Sequence, residues 1–215
     1  MAADAINFWE LERTNAAISE CGKYRYALHR QLSMAQSKSC LFIMLNPSTA
    51  DGTQDDPTIR RCVGFAKSWG CDRLFVGNLF AWRATDPNEL RKNGVGGGDV
   101  VGASNQQWLE ALADVVARRE DVPGPIVCAW GPKGRYMRQD ETVSGWLDET
   151  FDLQCLGFAK DGSPRHPLML PKSAQLEPFA PTKPSQRAGR DADASMGLRQ
   201  RNENALEVGQ GEEGK

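Results

Sequence analysis

FIMLNPSTADGTQDDPTIRRCVGFAKSWG, residues 42–70, holds a complete strand–loop–helix unit. With Cys40 and Leu41 before it, the run CLFIML is apolar at every position, as expected of a strand covered on both faces. Asp56 followed by Pro57 reads as a helix N-cap with proline at the first helical position. Ile59, Val63 and Ala66 then recur at helical spacing, and Gly70 supplies the stop.

The same alternation continues outward. Residues 74–79 (LFVGNL) form a second buried strand. A loop carrying ATDPNEL and the glycine cluster GVGGGDVVG follows, the cluster reading as a flexible segment or lid. Ser104 and Gln107 have the spacing of a capping box for a helix running to about Arg119. Pro123-Gly124-Pro125 breaks the chain before the third strand, 126–130 (IVCAW). Residues 135–151 read as helix and 153–157 (LQCLG) as the fourth strand. Upstream, 24–32 (YRYALHRQL) is an entry strand. A β-α-β-α order predicts an α/β fold with three α-β-α layers and a central, mostly parallel sheet of four or five strands. The expected organisation is an N-terminal extension over 1–22, the α/β domain over 23–179 and a disordered tail over 180–215. The tail is polar, Gly-rich and short of the large apolar residues that would offset its ordering entropy.

Composition narrows the function classes. The chain has 215 residues and a formal net charge of −2, so no global basic excess draws it to nucleic acid. No apolar run is long enough for a membrane span, and 1–17 has acidic residues without the apolar stretch of a signal peptide. The six cysteines form no CxxC pair and there are two histidines, which predicts reduced thiols, no metal, no cofactor and a cytoplasmic location.

In a parallel α/β sheet, ligands bind outside the carboxyl ends of the strands. Each strand here is followed by residues unusual for a plain turn. Asn46-Pro47-Ser48 follows the first, and Asn78, then Trp82 and Arg83, the second. Trp130-Gly131-Pro132-Lys133-Gly134 follows the third, and Arg165-His166-Pro167-Leu168 the fourth. Each has a plain reading too: Asn-Pro is a common turn, tryptophan is commonly core, and a single histidine is commonly structural. Asn78 is the most telling, because an amide in a buried strand needs partners and presents both a donor and an acceptor. Asp51 and Asp55 are the carboxylates nearest the first motif, either able to act as base or orient water, while Asp56 reads as a cap. The glycine cluster is not a dinucleotide fingerprint, and neither a Walker motif nor a GxSxG elbow occurs.

The stretches FIMLNPSTADGTQDDPTIRRCVGFAKSWG, LFVGNLFAWRATDP, IVCAWG and LGFAKDGSPRHPLML closely resemble the family catalogued as domain of unknown function 1643, from about Tyr24 to Phe179. The layout also distantly resembles the uracil-DNA glycosylase superfamily. There a strand leads into an Asn-Pro or Asp-Pro water-positioning motif. A later strand ends in a base-reading Asn, another reads Leu-Trp-Gly, and a final loop carries His-Pro-Ser. The matching positions here are Asn46-Pro47, Asn78, Trp130-Gly131 and His166-Pro167. That resemblance implies a uracil-DNA-glycosylase-like fold. Asn46 would position water, Asn78 would read a base and His166 would stabilise charge on the departing base. Beside the resemblance, the residues themselves offer Asp51 as a further catalytic candidate and Pro47, Ser48, Arg83, Trp130, Gly131 and Arg165 as the substrate-site candidates. The sequence departs from the pattern at Leu45 (glycine in the family), at Leu168 (serine) and at Asn46, whose amide cannot act as a general base.

Three functions follow as expectations. The first is a nucleobase-recognising enzyme, an N-glycosidic hydrolase or another processor of a base in DNA or a nucleotide. The second is an inactive base- or nucleotide-binding module, and the third a small-molecule enzyme unrelated to nucleic acid. A nucleobase, a nucleotide or single-stranded DNA are the partners to test.

Overall fold

The structure is a computed structural model that describes residues 6–35, 37–48, 50–119 and 121–181. The expected disordered tail falls almost wholly outside them. The described part is α/β: one seven-stranded mixed sheet with five α-helices.

The four strands expected from the apolar runs are β3 (Ser39–Met44), β4 (Arg73–Asn78), β5 (Ile126–Cys128) and β6 (Leu153–Cys155). They are mutually parallel, in the order β4-β3-β5-β6. The sheet is larger than the four or five strands expected, and it is mixed. β2 (Arg25–Gln31) lies antiparallel to β4, and β1 (Ala16–Ile18) antiparallel to β2. At the other edge β7 (Glu177–Pro178) lies antiparallel to β6. The two edge strands have three and two residues. A period-2 pattern has nothing to show over so few positions, so sequence periodicity cannot reveal them.

Residues 8–18, placed in an extension by the sequence reading, belong to this sheet and its packing. Helix α1 (Phe8–Thr14) is capped by Asn7, whose side chain accepts from the Glu10 N–H at 3.1 Å. Its Leu11 is fully buried, and Phe8 meets Phe75 of β4 edge to face.

The crossovers show why β3 is buried throughout and β4 from Leu74 onward. Helix α2 (Pro57–Ser68) joins them, with Asp56 Oδ1 accepting from the Ile59 N–H at 2.8 Å and Pro57 in the first turn. Ile59, Cys62, Phe65 and Ala66 of α2 pack with Cys40, Phe42, Leu74 and Val76 in one apolar cluster. Leu41, Ile43 and Phe75 face the opposite cluster, with Trp108, Leu109 and Leu112 of helix α4 (Asn105–Asp114) and Val143 and Leu147 of helix α5 (Gln139–Asp148). Gly77 permits the close approach of α4, since a Cβ there would run into the Leu109 side chain.

Two local expectations change. Ser104 precedes α4 but makes no side-chain capping bond, and the helix passes into a π-helical turn at Val115–Arg119. The loop after β4 contains a helix, α3 (Pro87–Val95), capped by Asp86, whose side chain accepts from the Asn88 N–H. The first of the clustered glycines thus sits inside a helix rather than in a flexible lid. Residues 132–138 are a kinked 3₁₀ segment leading into α5.

Candidate functional site

The chain leaves β3 toward β4 on one side and returns to β5 on the other. The carboxyl ends of β3 and β5 therefore flank a crevice, the place where open α/β sheets bind ligands. A cavity of about 440 Å³ opens there. Its polar lining includes Arg25, Asn46, Asp56, Asn78, Lys133 and His166, with Trp130 and Met44 among the apolar walls.

Of the residues singled out from sequence, Asn46, Ser48, Asn78, Trp130, Gly131 and His166 line this one cavity. Pro47, Asp51, Arg83 and Arg165 do not. The Pro47 carbonyl instead accepts from the Ala84 N–H at 3.0 Å. Arg83 donates to the Gly22 carbonyl and Arg165 to that of Phe158. Asp51 Oδ1 accepts from the Thr53 N–H, the Thr53 hydroxyl and the Gln54 N–H, at 2.8, 2.9 and 2.9 Å. These bonds pull its carboxyl down to about 2 and commit it to shaping the loop.

Asn78 ends β4 and is 1% exposed. Its Nδ2 is buried without a partner. A stranded buried donor costs free energy, and one that faces a cavity is where a ligand acceptor gains most. Asn46 is held differently. Its Nδ2 donates to the Ala84 carbonyl at 2.8 Å and to that of Pro47 at 3.1 Å. Both amide protons are thereby used, and the group it can offer a ligand or water is the acceptor Oδ1.

His166 caps the 3₁₀ turn Pro167–Met169, its Nδ1 accepting from the Leu168 N–H at 3.3 Å. That bond places the proton of the neutral ring on Nε2, making it a donor. Burial lowers the pKa of the ring, with Asp56 acting weakly the other way, so the neutral form prevails at pH 7. Gly131 holds the facing wall. Its φ is +70°, its N–H donates to the Pro164 carbonyl at 3.0 Å, and a Cβ on it would lie 3.6 Å from the His166 Cβ. Trp130 is 2% exposed, its Nε1 has no partner, and its ring meets Phe179 edge to face.

Sequence reasoning missed Arg25 and the second role of Asp56, and it named Lys133 in the rim segment without giving it a role. Asp56 is legible as a cap, but the same carboxylate also lines the cavity. Arg25 stands in a strand of ordinary appearance, and only the pairing of β2 beside β4 brings it to the site. Among the described residues no group of three or more His, Cys, Asp or Glu is arranged to hold a metal ion. No helix there is long and apolar enough to cross a membrane.

A family model described as protein of unknown function (DUF1643) matches residues 25–168. Neither the curated proteins nor the solved structures contain a match to the chain.

Proposed function

We propose that this chain, which belongs to the DUF1643 family of proteins of unknown function, is a nucleobase-recognising enzyme that hydrolyses or otherwise processes a base in DNA or a nucleotide. The observation that carries the reading is the unpartnered, buried Asn78 amide in a cavity that also holds Asn46 and His166. The cavity volume suits a base with part of its sugar, within the usual range for small-molecule sites. The uracil-DNA-glycosylase-like layout supports the same reading, through the order in which Asn46, Asn78, Trp130-Gly131 and His166 follow successive parallel strands.

In N-glycosidic hydrolysis the base leaves with the bonding electron pair and water attacks the sugar carbon. Asn78 Nδ2 donates to an acceptor on the base edge. The neutral His166 donates from Nε2 to the oxygen on which negative charge collects, and such a donor is worth most inside a site that excludes water. Asn46 Oδ1 accepts from the attacking water and orients it. An amide cannot take the proton. Asp56 is the cavity-lining carboxylate, and it fills that role in place of Asp51.

Asn46 also favours a second reading, a base-binding module without hydrolysis, because the first motif lacks a carboxylate. One pair of measurements separates them. Calorimetry against bases, nucleosides and nucleotides reads binding, and chromatography of uracil-containing single-stranded DNA and of nucleotides reads base release. Binding with release supports the enzyme, and binding alone supports the module. No binding at millimolar ligand overturns both.

A further inference from the structure

Arg25 is a charged group that the proposed chemistry leaves unused. It opens β2 and is 2% exposed, yet it lines the cavity. Nη1 donates to the Ala50 carbonyl, while Nε is buried without a partner. Among the described residues Arg25 enters no ion pair. Arg30, on the same strand, shows what a structural arginine looks like here. Its Nε meets Asp55 Oδ1 at 2.7 Å and its Nη2 the Asp51 carbonyl at 2.6 Å.

The charges around Arg25 do not settle its account. Asp56 and Asp51 act on it favourably, and Arg83 and Arg30 unfavourably. Asp56 turns Oδ1 to the helix N–H of Ile59 instead. Burial lowers the Arg25 pKa to about 10, which leaves the guanidinium charged at neutral pH. A buried cation with an unpartnered Nε–H is costly to keep, and the ligand best matched to it is an oxyanion whose two oxygens fit the guanidinium fork.

We propose that the ligand of this cavity carries an oxyanion, a carboxylate or a phosphate, that docks on the Arg25 guanidinium next to the edge read by Asn78. Arg25 and Asn78 come from neighbouring strands, paired with Leu28 opposite Val76, and both line the cavity. The proposal rests on the nucleobase reading for the remainder of the ligand, not for the anion site itself.

The test uses matched neutral and anionic probes on the full chain, by calorimetry. Uracil is compared with orotate, its ring carboxylate, and the four common nucleosides with their 5′-monophosphates. Inorganic phosphate is the probe for the anion alone. The wild type should bind the anionic member of at least one pair roughly tenfold tighter or more, as a charge-assisted bidentate contact provides. In Arg25→Gln the preference should fall below about twofold, and Arg25→Lys should restore part of it. A preference confined to the monophosphates identifies a phosphate, and one confined to orotate a ring carboxylate.

Equal affinity for both members of every pair, no binding of any anionic probe, or a preference undiminished in a folded Arg25→Gln would overturn the proposal. If Arg25→Gln does not fold, the wild-type pairs decide alone. Neutral bases that bind as well as their anionic partners leave the nucleobase reading standing and remove the oxyanion. Binding of inorganic phosphate or orotate without any neutral base or nucleoside does the reverse.

Discussion

The Asn46 side chain donates from Nδ2 to the Ala84 carbonyl across 2.8 Å, tying the loop after β3 to the loop after β4. The Pro47 carbonyl lies 3.1 Å from the same nitrogen. Asn46 therefore stands among acceptors, and its amide is chosen by what it must donate to.

This arrangement makes Asn46→Asp a stability test. A carboxylate would set an oxygen against two carbonyl oxygens, and only its protonated form could donate. We predict a loss of about 0.5–1.5 kcal/mol at neutral pH, the net worth of hydrogen bonds at this half-buried position. The new carboxyl pKa would be raised in the folded state. Stability would therefore be best preserved below the unfolded value of about 3.9 and lost as pH rises through the raised one. Urea melts from pH 4 to 8 measure it, and a variant as stable as wild type at pH 8 contradicts the tie.

Asn78→Ala should separate recognition from scaffolding. Nδ2 has no protein partner to strand, so the change should alter stability by less than about 1 kcal/mol. Binding of the base or nucleotide should weaken roughly ten- to a hundredfold. A large fall in melting temperature with unchanged affinity would instead assign the residue to the scaffold.

His166→Ala should spare ground-state binding and slow turnover roughly a hundred- to a thousandfold, as loss of a donor to developing charge does. The wild-type rate should hold steady on descending through pH 6.5, because the lowered pKa keeps the ring neutral there. It should fall only at lower pH, as a second proton on Nδ1 breaks the bond from the Leu168 N–H that orients the ring. A pH–rate profile that breaks at or above 6.5 would rule out this donor.

His29 predicts a pH effect on the fold rather than on the site. It is 2% exposed, packed 5.2 Å from the Phe75 ring, and neither ring nitrogen has a partner. Burial, then Arg73 and Arg30, push its pKa down to about 4. The unfolded chain binds the proton first, so stability is full above about 6.5 and falls as pH drops toward 4. The loss is on the order of 3 kcal/mol. His29→Phe should flatten that part of the stability curve, and an equal slope in the variant would place its origin elsewhere.

The parallel core was legible because its signals are local. The 40–45 run is apolar at every position, and Asp56-Pro57 caps α2 by contact with its own first turn. Asn78 was legible because an amide is out of place in an apolar strand. What escaped depends on distant pairing. Arg25 reaches the cavity because β2 returns antiparallel beside β4, and nothing in YRYALHRQL distinguishes it from Arg30. The place of Asp51 outside the cavity lining was hidden for the same reason. Its closeness in sequence to Asn46 says nothing of the loop bonds that engage its carboxylate.

A last consequence concerns how β2 grips the loop before α2. Arg25 holds the Ala50 carbonyl, and Arg30 holds the carbonyls of Asp51 and Gln54. Apart from the Asp55 carboxylate paired with Arg30, these contacts address main-chain oxygens, which every amino acid possesses. The course of the loop is thus insulated from the identity of residues such as Gln54. Substitution at such a position leaves the main-chain grip intact, and Ser48 and Asp56, which flank the loop and line the cavity, keep their places.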